Sequence, residues 1–291
     1  MTRGPTARRL QLGRALRKVR EEARLTQSAV AKELGCGQAK INKIETTLVA
    51  ISPAELEKLI DLYAIPADKA AELKELVSLD HADSPRRTSA SPAWSAFEQL
   101  RDLEQDAQEI LCWHSERIPR PLQSEYYMLR QHHPDTTTTA DVVRLLRELE
   151  ARARVFTVDD PPYYRAILSE SSLCRMPGGS SPKLVVDEVE HLLTLMSRHE
   201  RLVLQILTFH ADVRFVDTDF QILHFAGDEP AFAYIESPGG ARSFGRPEEL
   251  KKFEAHWHEL HTAALTPEHS KSYLEELVKE SKAAWEAEEP S

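Results

Sequence analysis

No stretch of this 291-residue chain approaches the roughly 18 consecutive apolar residues that a bilayer-spanning helix needs. The N-terminal MTRGPTARRLQLGRALRKVREEARL carries arginines where a secretory leader would carry an apolar core. A soluble, cytoplasmic protein with no membrane partner is expected. Cysteine is scarce: Cys36, Cys112 and Cys174 stand far apart, so neither a disulfide framework nor a C-x-x-C metal site can be written, and reduced thiols are expected. Positive charge is also in deficit, at 37 Lys and Arg against 47 Asp and Glu, a net charge of −10. That deficit is uneven, because residues 1–50 carry 11 Lys and Arg against 4 Glu, a balance of +7 that leaves −17 for the rest. A basic end on an acidic body is the pattern of a chain that meets a polyanion with one end, although a solvated basic helix gives the same count.

The chain has no repeat at a fixed period. HADSPRRTSASP, His81 to Pro92, mixes Ser, Pro, Asp and Arg without apolar periodicity and reads as a linker. It divides the chain into residues 1–80, a linker at 81–92 and a second domain at 93–285. Before the linker, Leu12, Ala15, Leu16 and Val19 mark a first helix. Ser52, Pro53 and Glu55 form a capping-box start for a later one, whose buried stripe is Leu56, Leu59, Ile60 and Tyr63. Another helix runs from Pro66 to Leu79, so the first domain is expected to be an all-α bundle of about five helices.

The second domain alternates helical patterns with β-rich runs. Helices are expected at Trp94 to Leu111, Gln123 to Gln131, Ala140 to Val155, Pro182 to Arg198, Pro247 to Ala264 and Pro267 to Ala284. Strands are expected in YYRAILSE (Tyr163 to Glu170), LVLQILTF (Leu202 to Phe209), FQILHF (Phe220 to Phe225) and AFAYIE (Ala231 to Glu236). The last three follow too closely for helical crossovers and favour antiparallel pairing. The expectation is an α+β domain with an antiparallel sheet of about four strands and about six helices.

The most specific stretch is LTQSAVAKELGCGQAKINKIE, Leu25 to Glu45. Thr26 suits a helix cap, Val30 and Leu34 a core face, and small Ala31 a close helix crossing. Gly35 suits a turn that needs positive φ, and Ile41 and Ile44 anchor a following helix on the same core. This is the spacing of a helix-turn-helix. The stretch resembles the helix-turn-helix of the XRE family of repressors, over roughly residues 10–65. Cys36 stands where the family usually has Val, and Gly37 where it has the Ser that caps the recognition helix.

The resemblance implies that the second helix of the motif enters the major groove by its N-terminal end. Gln38, Ala39, Asn42 and Lys43 on its outer face are then the candidates for bases or phosphates. Gln38 can bond an adenine edge, and Lys40 or Lys43 guanine or phosphate. Gln27 matches a family glutamine that bonds phosphate and braces the recognition glutamine. Arg14, Arg17 and Lys18 suit backbone contacts, which position without specifying. Arg20 and Glu45 match an internal salt bridge. A redox role for Cys36 is a further candidate, against which stands the similar packing of a buried thiol and Val. A helix-turn-helix kept for protein contacts is the competing view, opposed by the +7 charge and the absence of large apolar residues on the outward face.

Trp94 to about Ser281 resembles a domain of unknown function that follows XRE-type domains in many actinomycete regulators. The resemblance rests on WSAFEQLRDLEQDAQEILCWHSERIPRPLQSEYY, VDDPPYYRAILSESSL, VEHLLTLMSRHERLVLQILTF and PEHSKSYLEEL. It implies a regulatory or dimerisation role, and for some members an antitoxin-like one against a small protein encoded nearby. No enzyme, metal or cofactor is expected. His256, His258 and His261 lack a further ligand at a metal-site interval, and His210 with Asp212, Asp217 and Asp219 reads as turn residues rather than an acid/base pair. RMPGGSSPK, Arg175 to Lys183, lacks phosphate-loop spacing. Expected partners are double-stranded DNA, a second copy of the chain, and either a small-molecule effector or a small protein.

Overall fold

The computed structural model describes residues 7–46, 49–82, 100–132, 137–179, 181–214, 218–227, 229–237 and 240–288. The first unit has five helices: α1 (Ala7–Glu22), α2 (Gln27–Leu34), α3 (Gln38–Glu45), α4 (Pro53–Leu62) and α5 (Ala67–Ala82). Leu12, Leu16 and Val19 fall on one face of α1 and join Val30, Ala31, Ile41, Ile44, Leu56, Leu59 and Tyr63 in a single core. The start of α4 forms as its sequence dictates: Ser52 Oγ accepts from Glu55 N at 3.3 Å and Ser52 N donates to Glu55 Oε2 at 3.0 Å. Helix α5 runs two residues past the expected boundary at 80, and residues 83–92 of the expected linker lie outside the described residues.

The second unit is built on a six-stranded sheet of order β3-β2-β1-β4-β5-β6. Its strands are β1 (Glu109–His114), β2 (Tyr163–Ser169), β3 (Leu202–Leu207), β4 (Phe220–His224), β5 (Phe232–Ser237) and β6 (Gly240–Phe244). The first three are parallel and the last three form an antiparallel meander, joined where β1 runs antiparallel to β4. The sheet is therefore mixed and has six strands, not the expected antiparallel four. Parallel pairing needs long crossovers. Those between β1 and β2 hold α7 (Glu125–Arg130) and α8 (Thr139–Ala153), and those between β2 and β3 hold α9 (Glu170–Cys174) and α10 (Pro182–Arg198). The expected chain of antiparallel neighbours fails at β3, which pairs with β2 alone, and holds from β4 onward.

Two strands escaped the sequence reading. The expected helix Trp94 to Leu111 is helical at residues 100–105, here α6, with 94–99 outside the described residues; the chain then turns extended at Glu109. Every residue from Ile110 to His114 is buried. A central strand covered on both faces lacks the alternation that identifies strands. Strand β6, GARSF, is an edge strand with little apolar content.

One sheet face carries Ile110, Cys112, Tyr164, Ala166, Leu168 and Leu223 against Leu103 of α6, Leu184, Val189 and Leu192 of α10, and Leu274 and Val278 of α12 (Pro267–Glu288). The other packs Leu111, Trp113, Ile167 and Ile222 against Trp257 and Leu260 of α11 (Pro247–Ala263). Among the described residues no helix is long and apolar enough to cross a membrane.

Candidate nucleic-acid interface

The α2–α3 corner is set by three local features. Thr26 Oγ1 accepts from Ala29 N at 3.1 Å and starts α2. Gly35 takes the left-handed conformation at φ 67°, which lets Cys36 N donate to Ala31 O at 2.9 Å and ends the helix. Gly37 precedes α3 with no side chain to cap it. With Val30, Ala31, Ile41 and Ile44 buried at the crossing, α3 has one orientation, and Gln38, Ala39, Asn42 and Lys43 are all exposed. That outward face holds an amide pair, a cation and no large apolar group. Cys36 packs half-buried against the same core.

Beneath this face lies a closed polar network. Arg20 donates from Nε to Glu45 Oε1 at 2.6 Å, from Nη2 to Glu45 Oε2 at 3.0 Å and from Nη1 to Leu25 O at 2.8 Å. Gln27 Nε2 donates to Glu45 Oε2 at 2.9 Å and approaches Asn42 Oδ1 at 3.5 Å. Gln27 thus braces α3 through Glu45 and Asn42 rather than through Gln38. Lys40 is paired with Glu55, the capping residue of α4. The Lys40 ammonium is the chief cause that holds the Glu55 carboxyl down at about 2, with Ser52 helping against burial. Lys40 is accordingly engaged inside the unit, unlike Lys43.

The α1 candidates diverge. Lys18 is exposed. Arg17 donates to Glu21 Oε1 at 3.0 Å, and Arg14 lies against the second unit: its Nε donates to Glu229 Oε2 at 2.8 Å and its Nη1 to Asp106 Oδ2 at 3.2 Å. No local signal announces that contact, since Arg14 and Glu229 are 215 residues apart.

In the second unit the histidines singled out in the sequence stay separate. His256 and His258 are exposed, while His261 stacks on Trp257 at 4.8 Å, and no group of three metal-ligating side chains occurs among the described residues. His210 and Asp212 are exposed, and Asp217 lies outside the described residues. Asp219 instead faces His114, whose Nδ1 lies 3.2 Å from Asp219 Oδ2, and it accepts from Ser115 N at 2.9 Å and Ser115 Oγ at 2.7 Å. Burial pushes the Asp219 carboxyl up, but His114 and Ser115 outweigh it and hold it at about 2. The carboxylate sits between imidazole and hydroxyl, so the trio lacks the bond from base to hydroxyl that nucleophilic catalysis requires. In the loop Arg175 to Lys183, Gly178 O accepts from Arg130 Nη2 at 3.0 Å.

Sequence reasoning missed the polar row beside this trio. Register places Cys112, Gln221 and Tyr234 side by side on β1, β4 and β5. Buried Glu104 of α6 and Arg152 of α8 pair at 3.0 Å. Glu104 Oε1, Gln221 Oε1, Tyr234 OH and His114 Nε2 have no hydrogen-bond partner among the described residues. Burial raises the Glu104 carboxyl, against the pull of Arg152, and raises the Tyr234 phenol above its ordinary range. These residues come from separate strands and helices, and no sequence interval links them.

Compared with known families, residues 97–276 match one described as Domain of unknown function (DUF5753), and residues 11–73 match one described as Helix-turn-helix domain. No curated protein and no solved structure matches the chain.

Proposed function

The chain belongs to the family that carries the domain of unknown function DUF5753, with a helix-turn-helix domain ahead of it, and from this premise we propose a sequence-specific transcriptional regulator of the XRE type. A helix-turn-helix domain makes it a DNA-binding regulator in general terms. The finer reading rests on one observation: Gln38, Ala39, Asn42 and Lys43 stand exposed on a helix whose opposite side is locked into the core. Gln38 and Asn42 supply donor and acceptor to base edges, and Lys43 supplies charge to phosphate. A single module of this size reads few base pairs, so two copies of the chain on an inverted repeat are proposed, with the second unit offering the two-fold interface.

The test is selection of a binding site from a random duplex library, followed by footprinting. Gln38→Ala is expected to cost about 1–3 kcal/mol of affinity for the selected site and to relax base preference. Lys43→Ala is expected to lower the salt slope by about one unit. Matching losses of folding stability in both variants would remove these roles. Sedimentation of the full chain distinguishes a dimer from a monomer.

For the second unit, the buried polar row supports a small-molecule sensor, because its atoms lack hydrogen-bond partners among the described residues and such atoms call for partners. The −17 charge carried outside residues 1–50 favours instead a basic protein partner, in an antitoxin-like arrangement. Copurification from the native host separates them: a bound metabolite supports the sensor, a stoichiometric small protein the second reading.

A further inference from the structure

We propose that the second unit carries an arginine receptor, formed by Asp106, Phe225 and Glu229, whose occupant is Arg14 of α1, and that docking there withholds Arg14 from DNA phosphates. The withholding rests on the DNA-binding reading; the receptor does not.

A guanidinium is recognised by acceptors in its plane and an aromatic ring on its face. Both are present. Arg14 donates from Nε at 2.8 Å and Nη2 at 2.5 Å to Glu229 Oε2, and from Nη1 at 3.2 Å to Asp106 Oδ2. Its Cζ lies 3.9 Å from the Phe225 ring centroid. Phe225 is itself stacked on Phe232 at 5.9 Å, so the ring is a fixed platform. The Arg14 side chain retains 18 % exposure, against 49 % for Arg17, which adds a looser contact to Glu229 Oε1 at 3.9 Å.

The two units use complementary parts of their charge here. The basic balance of residues 1–50 meets carboxylates of the acidic remainder. Asp106 and Glu229 present anionic acceptor oxygens to the guanidinium fork, as a phosphate would, and one guanidinium cannot give the same donors to both. Ligation to DNA and docking therefore compete for Arg14. Only a loop and a strand end are needed to form the receptor, since Phe225 and Glu229 flank the β4–β5 connection and Asp106 follows α6.

The experiment uses the full chain as wild type, Glu229→Gln, Asp106→Asn, Arg14→Ala/Glu229→Gln and, as a control for net charge, Asp212→Asn. Hydrogen exchange of α1 and the β4–β5 segment reads docking. Binding to a short random-sequence duplex across a KCl series reads the withheld cation. Glu229→Gln, and to a lesser degree Asp106→Asn, are expected to speed exchange in both segments. Glu229→Gln is also expected to tighten duplex binding by roughly three- to ten-fold and to steepen the salt slope by about one unit. Arg14→Ala/Glu229→Gln should lose that gain, and Asp212→Asn should show neither effect. Unchanged exchange in both carboxylate variants overturns the receptor. Faster exchange with an unchanged slope, where wild type binds the duplex, overturns the withholding. Faster exchange with no duplex binding by any protein supports the receptor and overturns the DNA-binding reading.

Discussion

Among the described residues each unit buries one arginine–glutamate pair, and the two have different surroundings. In the helix-turn-helix unit, Glu45 accepts from Arg20 Nε and Nη2 and from the Gln27 amide, while Arg20 Nη1 donates to Leu25 O and Nη2 also reaches Glu21 Oε1 at 3.4 Å. In the second unit, Arg152 Nη1 donates to Glu104 Oε2 at 3.0 Å, and Glu104 Oε1 stays without a hydrogen-bond partner among the described residues. A satisfied network of this kind rigidifies and orients, which is what a reading helix needs. An incompletely satisfied one retains binding capacity, and the neighbouring Gln221, Tyr234 and His114 atoms extend that capacity across three strands. The first pair is thus framework, and the second leaves open the hydrogen bonds on which the proposed sensor role rests.

The sharpest way to break this contrast is to remove one arginine from each pair. Arg152→Met leaves a fully buried carboxyl alone and is expected to cost the second unit about 3–5 kcal/mol, with Glu104→Leu/Arg152→Met recovering most of it. Tryptophan fluorescence in urea isolates that unit, since all four tryptophans (94, 113, 257 and 285) lie beyond residue 80. Arg20→Met should leave the fluorescence transition in place and appear only in the helical circular dichroism signal. A loss under about 1 kcal/mol for Arg152→Met would make the second pair an ornament of the core.

A smaller effect opposes the two units in pH. Burial lifts the Glu188 carboxyl to about 8 despite its hydrogen bonds from Ser124, against 4.5 for the ordinary group. Its contribution to stability is whole below pH 4.5 and declines as pH rises toward 8, because the unfolded chain ionises while the folded one holds its proton. Glu188→Gln should therefore stabilise the second unit at pH 8 and leave it unchanged at pH 4. Glu55 behaves in the opposite sense: held at about 2, it stabilises the first unit above pH 4.5 and loses that contribution as pH falls. Fluorescence and dichroism melts that shift together with pH would erase the distinction. The smallest effect is expected from Thr26→Ala, about 1 kcal/mol from the first unit alone through the lost α2 cap, read in the dichroism melt.

What the sequence disclosed follows interaction range. The Ser52–Glu55 capping box, the Gly35 turn and the Val30, Ala31, Ile41, Ile44 core are written within a few residues of one another, and each stands in the structure as read. Outward placement of Gln38 and Lys43 follows from the same short-range pattern. Strand β1 was misread because burial on both faces removes its alternation, and β6 because an edge strand has little to bury. Asp219 was noticed for its neighbours in sequence, His210 and Asp212, whereas its actual partner Ser115 lies 104 positions away. The contact of Arg14 with Glu229 was likewise invisible, because the two lie 215 positions apart.

The strand order carries a consequence for synthesis. The central pair of the sheet matches Glu109 with His224 and Trp113 with Phe220, so β1 cannot find β4, its neighbour on that side, until more than 100 further residues have left the ribosome. At about 5–20 residues per second this is a wait of roughly 5–20 seconds, during which the helical head, built from contacts short in sequence, has already folded. Each newly made chain therefore passes through an interval in which its DNA-reading end is finished while the acidic body that will face Arg14 is still an open set of strands.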